Sequence, residues 1–227
     1  MTAGQWRTGR EKAGLTQVEA ARSLNVSQPY LSQLEAGLRA AAAGLARKAA
    51  KLYELPPTAL PLPAPLDVRG VPPDELQRKL ASLNYPGFEH VRSKARSNPA
   101  EVVLSAVVKQ DLDTRLVEAL PWVLSRYTDL NWAWLRDRAK LRNAQNRLGY
   151  LVHVAGQTAR ALPDTVRVLS GWESELEEAR LAREGTLCRD SMPEPERTWL
   201  RSNRPEAAAH WSLLTGLTAE QLPYANE

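Results

Sequence analysis

The sequence predicts an all-α protein made of two helical domains, at residues 1–60 and 74–227, joined by a proline-rich linker at 61–73. Three observations carry this. There is no sustained period-two run of β-branched residues, so no sheet is expected. Pro56, Pro57, Pro61, Pro63, Pro65, Pro72 and Pro73 fall within eighteen residues. Proline inside a helix loses a hydrogen bond and clashes with the preceding turn, so such a run favours an extended, semi-rigid connector. Third, helix start and stop signals recur on both sides of that run.

The first informative segment is TQVEAARSLNVSQPYLSQLEA, Thr16 to Ala36. Thr16 and Glu19 form a T-x-x-E capping box that starts a short helix over Gln17–Leu24. Ala20 and Leu24 face inward, and Ala21 is small enough for a close helix crossing. Asn25 breaks the helix because asparagine tolerates the left-handed conformation, and Val26 plugs the turn. Ser27 caps the next helix, and Pro29 is harmless in its first turn, where amides are unpaired anyway. Leu31 and Leu34 anchor this second helix on the core. Gln28, Tyr30 and Gln33 are left facing outward.

Beyond the linker, Asp74–Leu83 reads as a short helix and Tyr85-Pro86-Gly87 as a turn. Asn98 caps a helix with Pro99 in its first position, running to about Lys109. Helical patterns follow over 113–126, 131–143 and 145–161; Pro163 opens another up to Gly185, and a last one covers 194–215.

The chain has a formal charge of +4, and residues 1–60 hold eight Lys or Arg against four Glu, leaving twenty-two of each sign on the remainder. A small basic domain on a neutral body points to a polyanion partner for that domain. No apolar run is long enough to span a membrane, and MTAGQWRTGREKAG does not read as a signal peptide. Cys188 is the one cysteine, which excludes an intrachain disulfide and a cysteine metal cluster. These features predict a cytoplasmic protein.

The segment around Thr16–Ala36 resembles the helix-turn-helix of phage repressors, Cro proteins and xenobiotic-response-element (XRE) regulators. REKAGLTQ (Arg10–Gln17) and AKLYELPPTAL (Ala50–Leu60) match that family's first and last helices, so the resemblance covers residues 5–60. It implies a five-helix lambda-repressor-like bundle with the third helix in the major groove of double-stranded DNA. Carried over by position, Gln28, Pro29, Tyr30 and Gln33 would read bases. Gln17, Ser27 and Arg39 would contact phosphate, with Gln17 also bracing the third helix. Arg10 would serve structure, with Glu35. Three departures stand out. Asn25 replaces the usual Gly. Gly9 replaces a core Leu, which is expected to weaken helix one. Ala40–Ala42 replaces a basic residue, a Pro and a hydroxyl cap.

In the second domain, Trp122, Trp132, Trp134, Trp172, Trp199 and Trp211 read as core packing, or as a ligand pocket or a partner surface. A basic stretch including Arg136, Arg138, Lys140, Arg142 and Arg147 faces an acidic one at Glu173, Glu175, Glu177 and Glu178. These surfaces either dock a protein partner or pair with each other. NPAEVVLSAVVK, EALPWVL and PERTWLRSNRPEAAAHWSLLTGL look like extensions on regulators of toxin–antitoxin or defence loci; no residue roles follow from that. None of the three histidines shares a motif, and H-E-x-x-H, Gly-rich phosphate loops and G-x-S-x-G do not occur. No enzyme activity, cofactor or metal is therefore expected. The reading is a transcriptional regulator, a repressor acting as a homodimer on an inverted-repeat operator. An antitoxin that neutralises a co-encoded toxin and autoregulates is the alternative, and a metabolite-responsive regulator a further one.

Overall fold

The computed structural model describes residues 1–63, 71–93, 96–159 and 162–224. Residues 64–70 of the expected linker, Pro65 among them, lie outside the described residues, as does the end of the pattern expected over 145–161. The chain divides into two compact units, Met1–Pro63 and Ala64–Glu227.

The amino-terminal unit holds α1 (Ala3–Lys12), α2 (Gln17–Leu24), α3 (Gln28–Glu35) and α4 (Ala43–Leu52). Both α1 and α2 start in capping boxes. Thr2 exchanges bonds with Gln5, and Thr16 with Glu19, so two orphan donors are satisfied at each start. Asn25 takes the left-handed conformation at φ 58° and ends α2. The Ser27 hydroxyl accepts the Tyr30 amide at 3.3 Å and opens α3. Gly37, at φ +73°, ends it. Trp6, Ala20, Leu24, Leu31, Leu34, Ala46, Ala49 and Tyr53 form the core.

Two details differ from expectation. The fifth helix is a single 3-10 turn, Pro57–Ala59. Leu60, at ψ 146°, precedes Pro61, which disfavours the helical conformation there and ends the turn after three residues. Gly9 does not leave a hole. A Cβ at this position would lie 3.0 Å from Leu55 Cδ2 and 3.1 Å from Tyr53 Cδ2. Tyr53 occupies the space of the missing leucine and meets Trp6 edge-to-face at 6.4 Å. Helix α4 has no side-chain cap at Ala42.

The carboxy-terminal unit is built around α9 (Gln145–Thr158), which packs mainly on α7 (Thr114–Arg126) and α10 (Pro163–Glu177). Leu148, Leu151, Val152 and Ala155 are fully buried there. At Gly149 the ring of Trp211 approaches so closely that a Cβ would sit 2.3 Å from it. Helix α6 (Pro99–Val107), capped by Asn98, is apolar nearly all round and is buried accordingly. Helices α5 (Pro73–Ala81) and α8 (Trp132–Leu141) pack on α6. Inside α7, Pro121 breaks the ladder. The Tyr224 hydroxyl enters the opened turn, accepting from the Trp122 amide at 3.1 Å and donating to the Glu118 carbonyl at 2.6 Å.

The expectation of no sheet is corrected by one small exception. Residues Gly185–Thr186 (β1) pair in parallel with Leu213–Leu214 (β2). Two residues per strand are too few to generate a period-two signal. The helix expected up to Gly185 stops at Glu177. Past it, Gln145 donates to the Ala179 carbonyl, and Asn146 bonds both the carbonyl and the amide of Leu181 at 2.8 Å. These side chains from α9 take the backbone groups that a longer helix would have used. The last helical stretch divides into α11 (Glu194–Asn203) and α12 (Glu206–His210). Arg204, at ψ 152°, precedes Pro205, which excludes the helical conformation there.

Candidate nucleic-acid interface

Four side chains on three helices form one hydrogen-bonded chain. The carboxylate of Glu35 accepts from Arg10 Nε at 2.6 Å and from Arg10 Nη2 at 3.1 Å, a two-pronged ion pair. Arg10 Nη1 also holds the Leu15 carbonyl at 2.8 Å. Glu35 Oε2 accepts from Gln17 Nε2 at 2.9 Å, and Gln17 Oε1 accepts from Gln28 Nε2 at 2.7 Å. The Glu35 side chain is only 4% exposed. Burial pushes its pKa up, but the bonds from Arg10 and Gln17 outweigh burial and hold it below the ordinary carboxylate value. Glu35 in turn raises Arg10, so both stay charged. An ionised, buried anchor thus fixes an amide relay that ends at the solvent.

The relay ends on the amino-terminal half of α3. Ser27, Gln28 and Pro29 are exposed there, while Gln33 is partly exposed. Gln28 keeps one N–H and its carbonyl oxygen free of Gln17, a donor and an acceptor at the tip of a held side chain. Tyr30 is the exception to the outward trio. It is partly buried against the core, and the Arg39 guanidinium lies over its ring at 5.8 Å. The signal was available, because Tyr30 and Leu34 share a helix face at i, i+4. Arg39 is exposed and makes no ion pair among the described residues, and the same holds for Arg47 and Lys48. Sequence reasoning missed the Thr2–Gln5 cap and the two exposed apolar side chains beside the site, Val18 at 58% and Leu38 at 76%. Helical spacing already set Val18 off the core face of α2.

The candidates in the carboxy-terminal unit are mostly structural. Trp211 is fully buried, and Trp132 stacks on Trp172 at 4.6 Å. Trp199 alone of the six is widely exposed, at 60%. The acidic helix is largely used within the unit. Glu175 pairs with Arg136 and accepts from Trp132 Nε1 at 3.1 Å. Glu173 binds His153 at 3.0 Å, and Glu177 binds His210 at 2.7 Å and Arg180 at 2.9 Å. The acidic half of the expected docking surface is thereby consumed. On the basic half, Arg138 lies over the Trp134 ring at 6.0 Å, and Arg142 is exposed.

Residues 7–60 match the family model described as helix-turn-helix. No curated protein and no solved structure matches the chain. No helix among the described residues is long and apolar enough to cross a membrane.

Proposed function

Residues 7–60 form a helix-turn-helix of the Cro and repressor kind, the segment of a DNA-binding transcription regulator, and from that premise we propose that the protein is a sequence-specific repressor that binds an inverted-repeat operator as a homodimer. One observation carries the reading: the exposed Gln28 amide at the start of α3, held by Gln17. Its free N–H and oxygen complement the N7 acceptor and N6 amino donor that adenine presents in the major groove. Gln33 and Pro29 extend the base-reading surface along the same half-helix. Tyr30 contributes its ring edge and seats Arg39. Arg39, Gln17 and Ser27 contact phosphate. The amino-terminal charge excess supports the electrostatic part of this binding.

The test is selection of bound duplexes from a random pool with the full chain, followed by footprinting. An enriched inverted repeat with half-sites about one helical turn apart is expected. A chain that enriches no sequence and retains no duplex at low salt overturns the reading.

A further inference from the structure

Charge and shape converge in a cleft of about 730 Å³ in the carboxy-terminal unit. Its walls are the first turn of α9, the segment from Leu181 to Thr186, and Arg197 of α11. Arg142 and Arg183 line it and are exposed, and their side chains form no ion pair or hydrogen bond among the described residues. The two acids of the lining are already engaged. Asp190 accepts from Arg147 at 2.7 Å, and Glu184 meets Arg201 at 3.0 Å and Arg204 at 3.7 Å. Nothing in the lining therefore neutralises Arg142 and Arg183.

A second observation is independent of these arginines. Helix α9 runs for fourteen residues and has no side-chain cap, and Ala144, Asn146 and Arg147 at its start line the cleft. The unpaired amides of a first turn carry partial positive charge and bind anions. The site is also held in shape. Arg147 donates to the Thr186 carbonyl at 2.8 Å and to the Val107 carbonyl at 3.2 Å, while Asn146 ties Leu181 to Trp211. Of the apolar lining residues, Val108 and Leu181 are partly exposed and supply an apolar wall, while Val107 and Leu213 are buried. The volume lies within the range of small-ligand sites.

We infer that this cleft binds a phosphorylated small molecule, its phosphate on Arg142, Arg183 and the start of α9, and its organic part on the apolar wall. Phosphate is favoured over a carboxylate because it can take the guanidiniums and the helix amides at once. A concave site of this size suits a metabolite better than a duplex backbone. No aromatic ring lines the cleft among the described residues, so the phosphate, not base stacking, supplies the main attraction. The inference stands apart from DNA binding, because its test reads ligand binding directly.

The experiment is calorimetric titration of the full chain with inorganic pyrophosphate, ATP, citrate and adenosine. Pyrophosphate and ATP are expected to bind, and adenosine is not. Tighter binding of ATP than of pyrophosphate supports the inference, and equal binding overturns the part assigned to the apolar wall. R142Q with R183Q should weaken both probes by about tenfold or more, with an unchanged circular dichroism spectrum. Arg167→Ala, at an exposed pair elsewhere, should change neither. Each single variant gives the same reading should the double variant fail to fold. Absence of phosphorylated-probe binding at millimolar concentration overturns the inference. So does undiminished binding by the variants, or citrate binding as tightly as pyrophosphate. Displacement of pyrophosphate by duplex DNA would assign the cleft to a nucleic-acid backbone and overturn it equally.

Discussion

Gln28 reaches solvent with one amide N–H committed to Gln17, and that commitment separates its role from that of a free surface glutamine. Gln28→Ala should cost about 1–3 kcal/mol on the selected operator and leave binding to random duplex nearly unchanged. Competition binding with both duplexes measures this, and an equal loss on each would show that Gln28 reads no base. At the other end of the relay, Glu35→Gln removes the buried counter-charge of the Arg10 guanidinium, whose side chain is 11% exposed, and leaves it only the 3.6 Å contact with the half-exposed Glu11. The expected destabilisation is about 3 kcal/mol in urea unfolding. The pH dependence follows from the lowered Glu35 pKa. Its stabilising contribution is complete above the ordinary value near 4.5 and is lost as pH falls through the lower folded value. The wild-type and Glu35→Gln stability curves should therefore converge in acid. Register with a known family led to the expectation that Gln17 braces the third helix, and its bonds to Glu35 and Gln28 run that way; Gln28 was expected only as a base reader. The partial burial of Tyr30 was not assigned, although its i, i+4 spacing with the core Leu34 already pointed to it.

At the scale of elements, α9 carries a paired experiment. Gly149 faces the buried Trp211 ring, whereas a Cβ at Gly156 meets nothing within 4 Å. Gly149→Ala should destabilise by about 1–3 kcal/mol through overpacking. Gly156→Ala should stabilise by up to about 1 kcal/mol, because alanine loses less backbone freedom in a helix. Thermal unfolding of both variants checks the sign of each. The packing of α9 on α10 includes the His153–Glu173 bond, which holds the His153 pKa above its ordinary value of 6.5. The stability it contributes is complete below that ordinary value and fades as pH rises through the raised folded value. The His153→Gln variant should lack this fade in a series of melting temperatures from pH 5 to pH 9, about the range in which histidine titrates. Most elements were readable from caps and periodicity. The end of α10 was not, because side chains from α9 decide where it stops; the break at Arg204-Pro205 was readable from the proline and was passed over.

On the scale of the whole molecule, the distribution of charge predicts the salt response. The amino-terminal excess of basic residues should give DNA affinity a steep dependence on salt. Arg39→Ala should lower affinity for all duplexes alike and flatten that slope by about one ion. A slope unchanged by the variant would remove Arg39 from the phosphate contacts. A single recognition helix reads only a few base pairs, too few for a genomic address. Saturation footprints should therefore cover two half-sites, and protection of one alone would refute the dimer.

By itself, the sequence determined the helical class, the helix-turn-helix and its Thr16–Glu19 capping box. It also determined the concentration of charge on the first sixty residues. These are local properties, set by backbone propensities and by residues three or four positions apart. Tertiary structure alone decided which charges cancel and which remain. Glu173, Glu175 and Glu177 look like a free acidic face until α10 meets α8, α9 and α12, where His153, Arg136 and His210 take them up. Arg142 and Arg183 look like ordinary surface cations until the segment after α10 folds beside the start of α9 and makes them the walls of a cleft. Pairing of charges depends on distances across the fold, and helical periodicity carries no information about those distances.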